Sequence, residues 1–285
     1  MGLQRLVWEH PSAYLAALAP EETIFFLDRT ALAARARQFI AGFPGLVTYA
    51  VKANPDRMVI RGLAEAGIAA FDVASPVEIA QIRAQVPGAA LHYHNPVRSK
   101  AEIRAAVAAE VASWSVDSRG EIDKIVAALR GGPAEIAVRF ALPVAGAAYH
   151  FGSKFGAVPA EAAQLLAHVA RLGLKSSLTF HPGTQCADPS VWAAYVEAAA
   201  GIARAAGVRV HRLNVGGGFP SGRDGGTGDP APIFAAIRET AQSAFEGAPP
   251  LAMIRDGLEA QRLAEAAIAS IRTGRPVTLM PDWTP

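Results

Sequence analysis

Short apolar runs rich in β-branched and aromatic residues recur along the chain. Each is followed by an alanine-rich stretch with apolar positions three and four apart. Strands are predicted at 46–52 (LVTYAVK), 69–74 (AAFDVA), 89–94 (AALHYH), 112–116 (ASWSV), 135–141 (EIAVRFA), 174–181 (LKSSLTFH), 208–215 (VRVHRLNV) and 250–254 (PLAMI). Helices are predicted at 56–66, 76–84, 99–109, 119–130, 160–171, 190–206 and 231–245, where runs such as IRAAVAAEVA keep a 3.6-residue period in good helix formers. Eight strands alternating with helices predict parallel pairing and an α/β fold of the (β/α)8, TIM-barrel type. A doubly wound open sheet is the structural rival, but it usually has fewer repeats.

One further strand, at 23–28 (TIFFLD), is predicted before the first repeat. The expected organisation is an N-terminal segment with that strand over 1–28, a barrel over 29–254, and a C-terminal helix and tail over 255–285. In the tail Leu258, Leu263, Ala267, Ile268 and Ile271 fall at helical spacing, with Gly274 as C-cap. The segment GGGFPSGRDGGTGDP (216–230) lies between a strand and a helix of the same alternation, which favours a functional loop over a linker.

Composition narrows the classes. The chain has 285 residues, 51% of them hydrophobic, and a net charge of only +2, too diffuse to argue for nucleic acid. No apolar run approaches the ~18 residues of a membrane span. The N-terminus lacks a basic region followed by a clean apolar core, so no signal peptide is expected. A single cysteine, Cys186, rules out an internal disulfide framework and fits a reducing cytoplasm.

In a barrel of this type chemistry sits at the C-terminal ends of the strands. There the chain places Lys52 and Asn54, then Asp72 with Ser75 and Glu78, then His92, His94 and Asn95. Arg139, His181 with Thr184, and Gly216-Gly217-Gly218 follow at later strands. Ionisable groups in buried strands are expensive unless paired, so their convergence at one rim points to a site. Three successive glycines let backbone N–H groups approach an anion such as phosphate. A phosphate anchor opposite a strand-end lysine points to a Schiff-base cofactor, pyridoxal 5'-phosphate. His92 and His94 fall two apart on one strand face; without a third ligand no metal is expected. Asp72 and Glu78 also suit helix N-terminal charges, and Arg139 a barrel-interior ion-pair partner.

Tyr49-Ala-Val-Lys52-Ala-Asn54, followed by Val59, Ile60, Leu63 and Gly67, resembles the lysine signature of the ornithine/diaminopimelate decarboxylase family, fold-type III pyridoxal-phosphate enzymes with an alanine racemase-like barrel. FDVASPVEI (71–79), NPVRS (95–99), VRF (138–140), SKFG (153–156), FHPGTQ (180–185) and NVGGGFPSG (214–222) match in the family's order, over roughly residues 20 to 250. FDVAS, NPVRS and GGGFP lean to the ornithine and basic-amino-acid branch, SKFG and GTQ to the diaminopimelate branch. The resemblance implies that Lys52 forms the Schiff base and later moves protons, and that His181 stacks on the pyridine ring. It implies that Thr184 and Gly216 to Gly218 hold the phosphate. Asp72, Arg139, Glu78 and Asn54 would order the lysine and the ring.

The resemblance also has a break. The family continues from its eighth strand into a Glu-Pro-Gly-Arg turn whose glutamate pairs with the pyridine nitrogen, then into a β-domain that completes the site across a dimer. Here GAPPLAM (247–253) runs on as IRDGLEAQRLAEAAIASIRTGRPVTL, without that turn; Arg255 and Asp256 are the nearest substitutes. Strand 23–28, which pairs with that β-domain in relatives, would have an exposed edge. The expected function is decarboxylation of a basic amino acid, ornithine- or lysine-like, in a cytoplasmic enzyme and a possible homodimer. The alternatives are a diaminopimelate decarboxylase-like activity, a pyridoxal-phosphate-binding barrel without decarboxylase activity, and an inactive barrel acting through protein contacts.

Overall fold

Seven parallel strands form one curled sheet in which each strand pairs with its neighbour in sequence, β1 to β7. They are β1 (Thr48–Ala50), β2 (Ala70–Val73), β3 (Ala90–Tyr93), β4 (Ser113–Val116), β5 (Glu135–Arg139), β6 (Lys175–Thr179) and β7 (Leu213–Asn214). The computed structural model describes residues 8–143, 154–222 and 228–245. The predicted eighth strand at 250–254 and the predicted tail helix lie outside them.

A helix precedes or follows every strand: α1 (Pro11–Leu18), α2 (Arg29–Gly42), α3 (Arg57–Glu65), α4 (Pro76–Gln85), α5 (Lys100–Ala108), α6 (Arg119–Leu129), α7 (Pro159–Arg171), α8 (Pro189–Ala206) and α9 (Ala231–Ala244). Their starts follow from local chemistry. Asp28, Asp56, Ser75 and Asp188 each accept a backbone N–H of the first turn. Ser99 and Glu102 close a full capping box on α5.

Alternation along each strand divides the sheet into two faces. Phe71, Leu91, Tyr93, Trp114, Ile136, Val138 and Phe180 are buried in the main core with helix residues such as Ile60, Ile82, Ile103, Ile122, Leu166 and Trp192. Each such side chain contributes about 1.5–3 kcal/mol by leaving water. Residues of opposite parity face the concave side. Among them are Thr48, His92, Ser113, Glu135, Ala137, Ser177 and Asn214, which border a cavity of about 120 Å³. A hydrogen bond from Asn214 in β7 to His94 just beyond β3 crosses this concave side, since the two strands are not neighbours.

Two expectations need correction. Residues 23–28 form no strand: they find no ladder partner among the described residues, and Phe25 is 93% exposed. An apolar run becomes a strand only where another edge takes its backbone groups. The first strand also stops at Ala50, so Lys52 belongs to a 3₁₀ turn, Val51–Ala53, rather than to the strand itself.

Candidate functional site

Lys52 leaves the rim on a turn fixed from both sides. Val51 is fully buried beside it, and the Tyr49 hydroxyl donates to the Asn54 carbonyl at 3.2 Å. Asn54 Oδ1 accepts from Asp56 N at 3.0 Å, and Asp56 Oδ1 from Met58 N at 2.7 Å. Two successive side-chain caps carry the chain from β1 into α3 and leave Lys52 exposed. Asn54 is thereby a turn former. Glu78 is likewise local: its Oε2 accepts from Ala74 N at 2.8 Å at the N-terminus of α4. For Glu78 the helix-terminal alternative describes the observed contact.

Three cationic or imidazole groups converge at the rim. His181 follows β6, and its Nδ1 accepts from Gly183 N at 3.1 Å, which leaves the ring proton on Nε2. Burial, then the charges of Arg139 and Lys52, bring His181 down to about 4, so the ring is neutral at physiological pH. Arg139 closes β5 with its guanidinium 5.3 Å from the centre of the Phe155 ring, and its own burial lowers its pKa. Lys52 also acts electrostatically on Asp72 and His94.

The glycine triplet packs against the loop after β6. At Gly216, φ is +71° and an added Cβ would fall 2.1 Å from the Phe180 carbonyl; at Gly218, φ is +95° and it would fall 1.9 Å from the Gly183 carbonyl. Those two positions accept only glycine because two backbones touch there. Gly217 differs: a Cβ would meet only His181 Nε2, at 3.8 Å. The open face of Gly217 and the neutral His181 ring therefore border the same space. Cys186 N donates to Gly218 O at 2.8 Å, and the Gln185 amide exchanges two 2.8 Å bonds with Ser221, so Thr184 is carried on a loop clamped to the glycine segment.

Asp72 sits inside the sheet. Thr48 Oγ1 donates to its Oδ2 at 3.0 Å, whereas its buried Oδ1 makes no hydrogen bond and lies 3.5 Å from His94 Nδ1. Burial raises the Asp72 pKa, against lowering contributions led by His92 and Thr48. His92 and His94 share Ser113 Oγ, at 2.7 and 3.2 Å, rather than facing a third ligand. Ser113 and Asn214 were not among the expected site residues. The signal that could have found them is the inward parity they share with Asp72, Arg139 and His181. Arg255 and Asp256 lie outside the described residues.

A rim with a lysine amine, a neutral imidazole beside an open glycine backbone, and an arginine suits an aromatic aldehyde that carries a phosphate. The family described as "Pyridoxal-dependent decarboxylase, pyridoxal binding domain" matches residues 29–256. Ornithine decarboxylase of Panagrellus redivivus is 32% identical over 177 residues, 60% of this chain and 40% of that protein. Lysine/ornithine decarboxylase of Selenomonas ruminantium is 34% identical over 179 residues, 61% of this chain and 45% of that protein. The crystal structure of lysine decarboxylase from Selenomonas ruminantium superposes with a TM-score of 0.72 at 25% identity, over 85% of this chain and 65% of that one. The chain thus spans less than half the length of these curated relatives.

Proposed function

Since the chain belongs to the pyridoxal-binding domain family of the pyridoxal-dependent decarboxylases, we propose that it binds pyridoxal phosphate through Lys52 and serves the decarboxylation of a basic amino acid of ornithine or lysine type. The observation that carries this proposal is the shared space between Gly217 and the neutral His181 ring, on a rim where Lys52 and Arg139 both act on that ring. When bound, the cofactor supplies an electron sink for the electron pair released with CO2.

The chain's own residues have distinct tasks. The exposed Lys52 amine would hold the cofactor through its aldehyde, and its Nζ would carry protons. Gly217, with Thr184 on its clamped loop, offers polar backbone and hydroxyl groups to the phosphate. His181 presents a neutral ring face for stacking, held in one tautomer by Gly183 N. Arg139 adds positive potential beside it. Asp72 orders the lysine side of the site, while Asn54 and Glu78 shape the turns that carry Lys52 and the start of α4. The resemblance assigns the pyridine nitrogen to the glutamate of a Glu-Pro-Gly-Arg turn, and GAPPLAM (247–253) is not followed by that turn here. That favours a second reading, in which the chain binds the cofactor with little or no decarboxylation. A cytoplasmic setting accords with the single cysteine, Cys186, a buried free thiol, and among the described residues no helix is long and apolar enough to cross a membrane. A homodimer is part of the first reading and is checked by sedimentation.

The test adds pyridoxal phosphate, reduces with borohydride, and locates the label by mass spectrometry. Label on Lys52, lost in Lys52→Ala, is expected; label elsewhere, or undiminished in the variant, overturns the assignment. Release of CO2 from ornithine, lysine or diaminopimelate then separates the first reading from the second.

A further inference from the structure

One hydrogen bond removes a donor from the glycine triplet. Gly216 N donates to Asn214 Oδ1 at 2.7 Å, in an Asx turn that holds Gly216 at a φ of +71°. Among the described residues Gly217 N and Gly218 N donate to no group, so the first free N–H of the triplet belongs to Gly217. Gly217 is also the position with open space beside it, since an added Cβ would meet only His181 Nε2, at 3.8 Å.

Asn214 is itself held from across the sheet. Gly216 N can only donate, so Asn214 Oδ1 faces it and the NH2 turns to His94 Nδ1 at 2.9 Å. His94 Nε2 in turn lies 3.2 Å from Ser113 Oγ. Burial, then the cations of Arg98, Arg212, Arg139 and Lys52, bring His94 down to about 3, so its Nδ1 keeps the lone pair that the amide needs. The far end of the triplet is tied separately, by Cys186 N to Gly218 O at 2.8 Å. A loop fixed at both ends presents its middle N–H without a further ordering cost when an anion arrives.

We propose that Asn214 is a positioning residue for a phosphate group: it engages Gly216 N–H itself, ties the triplet to His94, and leaves Gly217 N–H to receive the phosphate. This rests on the proposed function for the molecule that carries the phosphate, whereas the division of the N–H groups is a property of the chain without cofactor. An apolar side chain at position 214 would release Gly216 N and untie the loop from His94. The loss would fall on the phosphate end of the ligand and not on the aldehyde end at Lys52. Asn214 therefore discriminates between two aldehydes that differ only in the phosphate, pyridoxal phosphate and pyridoxal.

Two measurements test this. In 15N-labelled protein without cofactor, inorganic phosphate should shift the Gly217 amide resonance and leave that of Gly216 in place. The Gly216 amide should also exchange with solvent about tenfold or more slowly than that of Gly217. A larger shift at Gly216, a shift at neither, or equal exchange overturns the proposal, and these readings need no variant to fold. In Asn214→Leu the affinity for pyridoxal phosphate should fall about tenfold or more, while that for pyridoxal changes by less than about twofold. Asn214→Asp keeps an acceptor for Gly216 N and should recover most of that loss. A merely structural residue would weaken both aldehydes alike; that result, or unaltered binding in Asn214→Leu, overturns the proposal. Borohydride that leaves Lys52 unlabelled would instead sink the proposed function, and the amide readings would still decide the role of Asn214.

Discussion

Gly216 and Gly218 should be needed by the fold, and Gly217 by the ligand. A methyl group at Gly218 would sit 1.9 Å from the Gly183 carbonyl, and one at Gly216 would sit 2.1 Å from that of Phe180, where Cβ atoms essentially never approach within 3.0 Å. Both obstacles are backbone, so a loop must shift by about 1 Å. Overpacking of that kind costs about 1–3 kcal/mol, and the left-handed φ adds about 1–2 kcal/mol for a residue with a Cβ. Gly218→Ala should therefore lose about 2–5 kcal/mol, which for a chain of this size lowers Tm by roughly 5–20 °C. Gly217→Ala meets only His181 Nε2 at 3.8 Å, so its Tm should stay within about 2 °C of the parent. Its methyl group instead fills the space beside His181. Titration with pyridoxal phosphate, followed by cofactor absorbance, should then show weakened binding by about tenfold or more for Gly217→Ala. Equal loss of Tm in Gly217→Ala and Gly218→Ala, or unaltered cofactor binding in Gly217→Ala, would refute the division.

Arg98 is almost fully buried, donates to the Tyr93 and Ser115 carbonyls at 2.8 and 2.6 Å, and lies 4.6 Å from the Tyr93 ring centre. Arg98→Ala exposes two buried carbonyls and weakens the charge balance at Glu121, so urea unfolding should show a loss of about 3–5 kcal/mol, only partly recovered by Arg98→Lys. Ser99→Ala removes half of the capping box on α5 and should cost about 1 kcal/mol in the same assay, with cofactor binding unchanged. The depressed values of His92, His94 and His181, about 3, 3 and 4 against an ordinary 6.5, mean that the unfolded chain binds more protons below pH 6.5. Their contribution is complete above that pH and falls on acidification by up to ~1.4 kcal/mol per pH unit for each histidine. Asp72, being raised, contributes with the opposite sign: its share is present below the ordinary carboxyl range and is lost as pH rises through its native value. Urea midpoints should drop from pH 6.5 to 4.5, less steeply in His92→Gln; a flat profile would contradict these assignments.

The alternation of strands and helices was legible because each repeat carries its own period. Helix α3 was expected at 56–66 and spans Arg57–Glu65; α8 was expected at 190–206 and spans Pro189–Ala206. Strand ends were less legible. VRVHRLNV reads as eight residues of strand, yet only Leu213 and Asn214 are assigned to it; His211 N and Arg212 O reach β6 through single bonds to Ser176 and Leu178. TIFFLD failed for a related reason, since a ladder needs a partner edge that local sequence does not specify. Lys52, His181 and Arg139 could be located because strand-end polar residues are rare in an apolar alternation. The tasks of Asn54 and Glu78 could not, because a turn-forming amide and a cofactor-ordering amide are the same residue in sequence.

The concave side shows most clearly where sequence stops. His92 and His94, like Ser113 and Ser115, reveal a period of two and therefore a polar inner face, but nothing in that period says that His94 meets a residue 120 positions away. Barrels of this kind are more often filled with branched apolar side chains. Polar groups on this face contribute net stability only if each donor meets an acceptor, and a half-satisfied network is worse than an apolar filling. Each link of the chain from Gly216 to His92 is made, while Asp72 Oδ1 and His92 Nε2 stay buried at its margins without a hydrogen-bond partner among the described residues. Replacing His94 by an apolar residue would leave the Asn214 NH2 without this acceptor and Ser113 without one of its two imidazole partners. The inner face is thus best understood as a network whose members depend on one another, with the glycine loop at one end and Asp72 beside it.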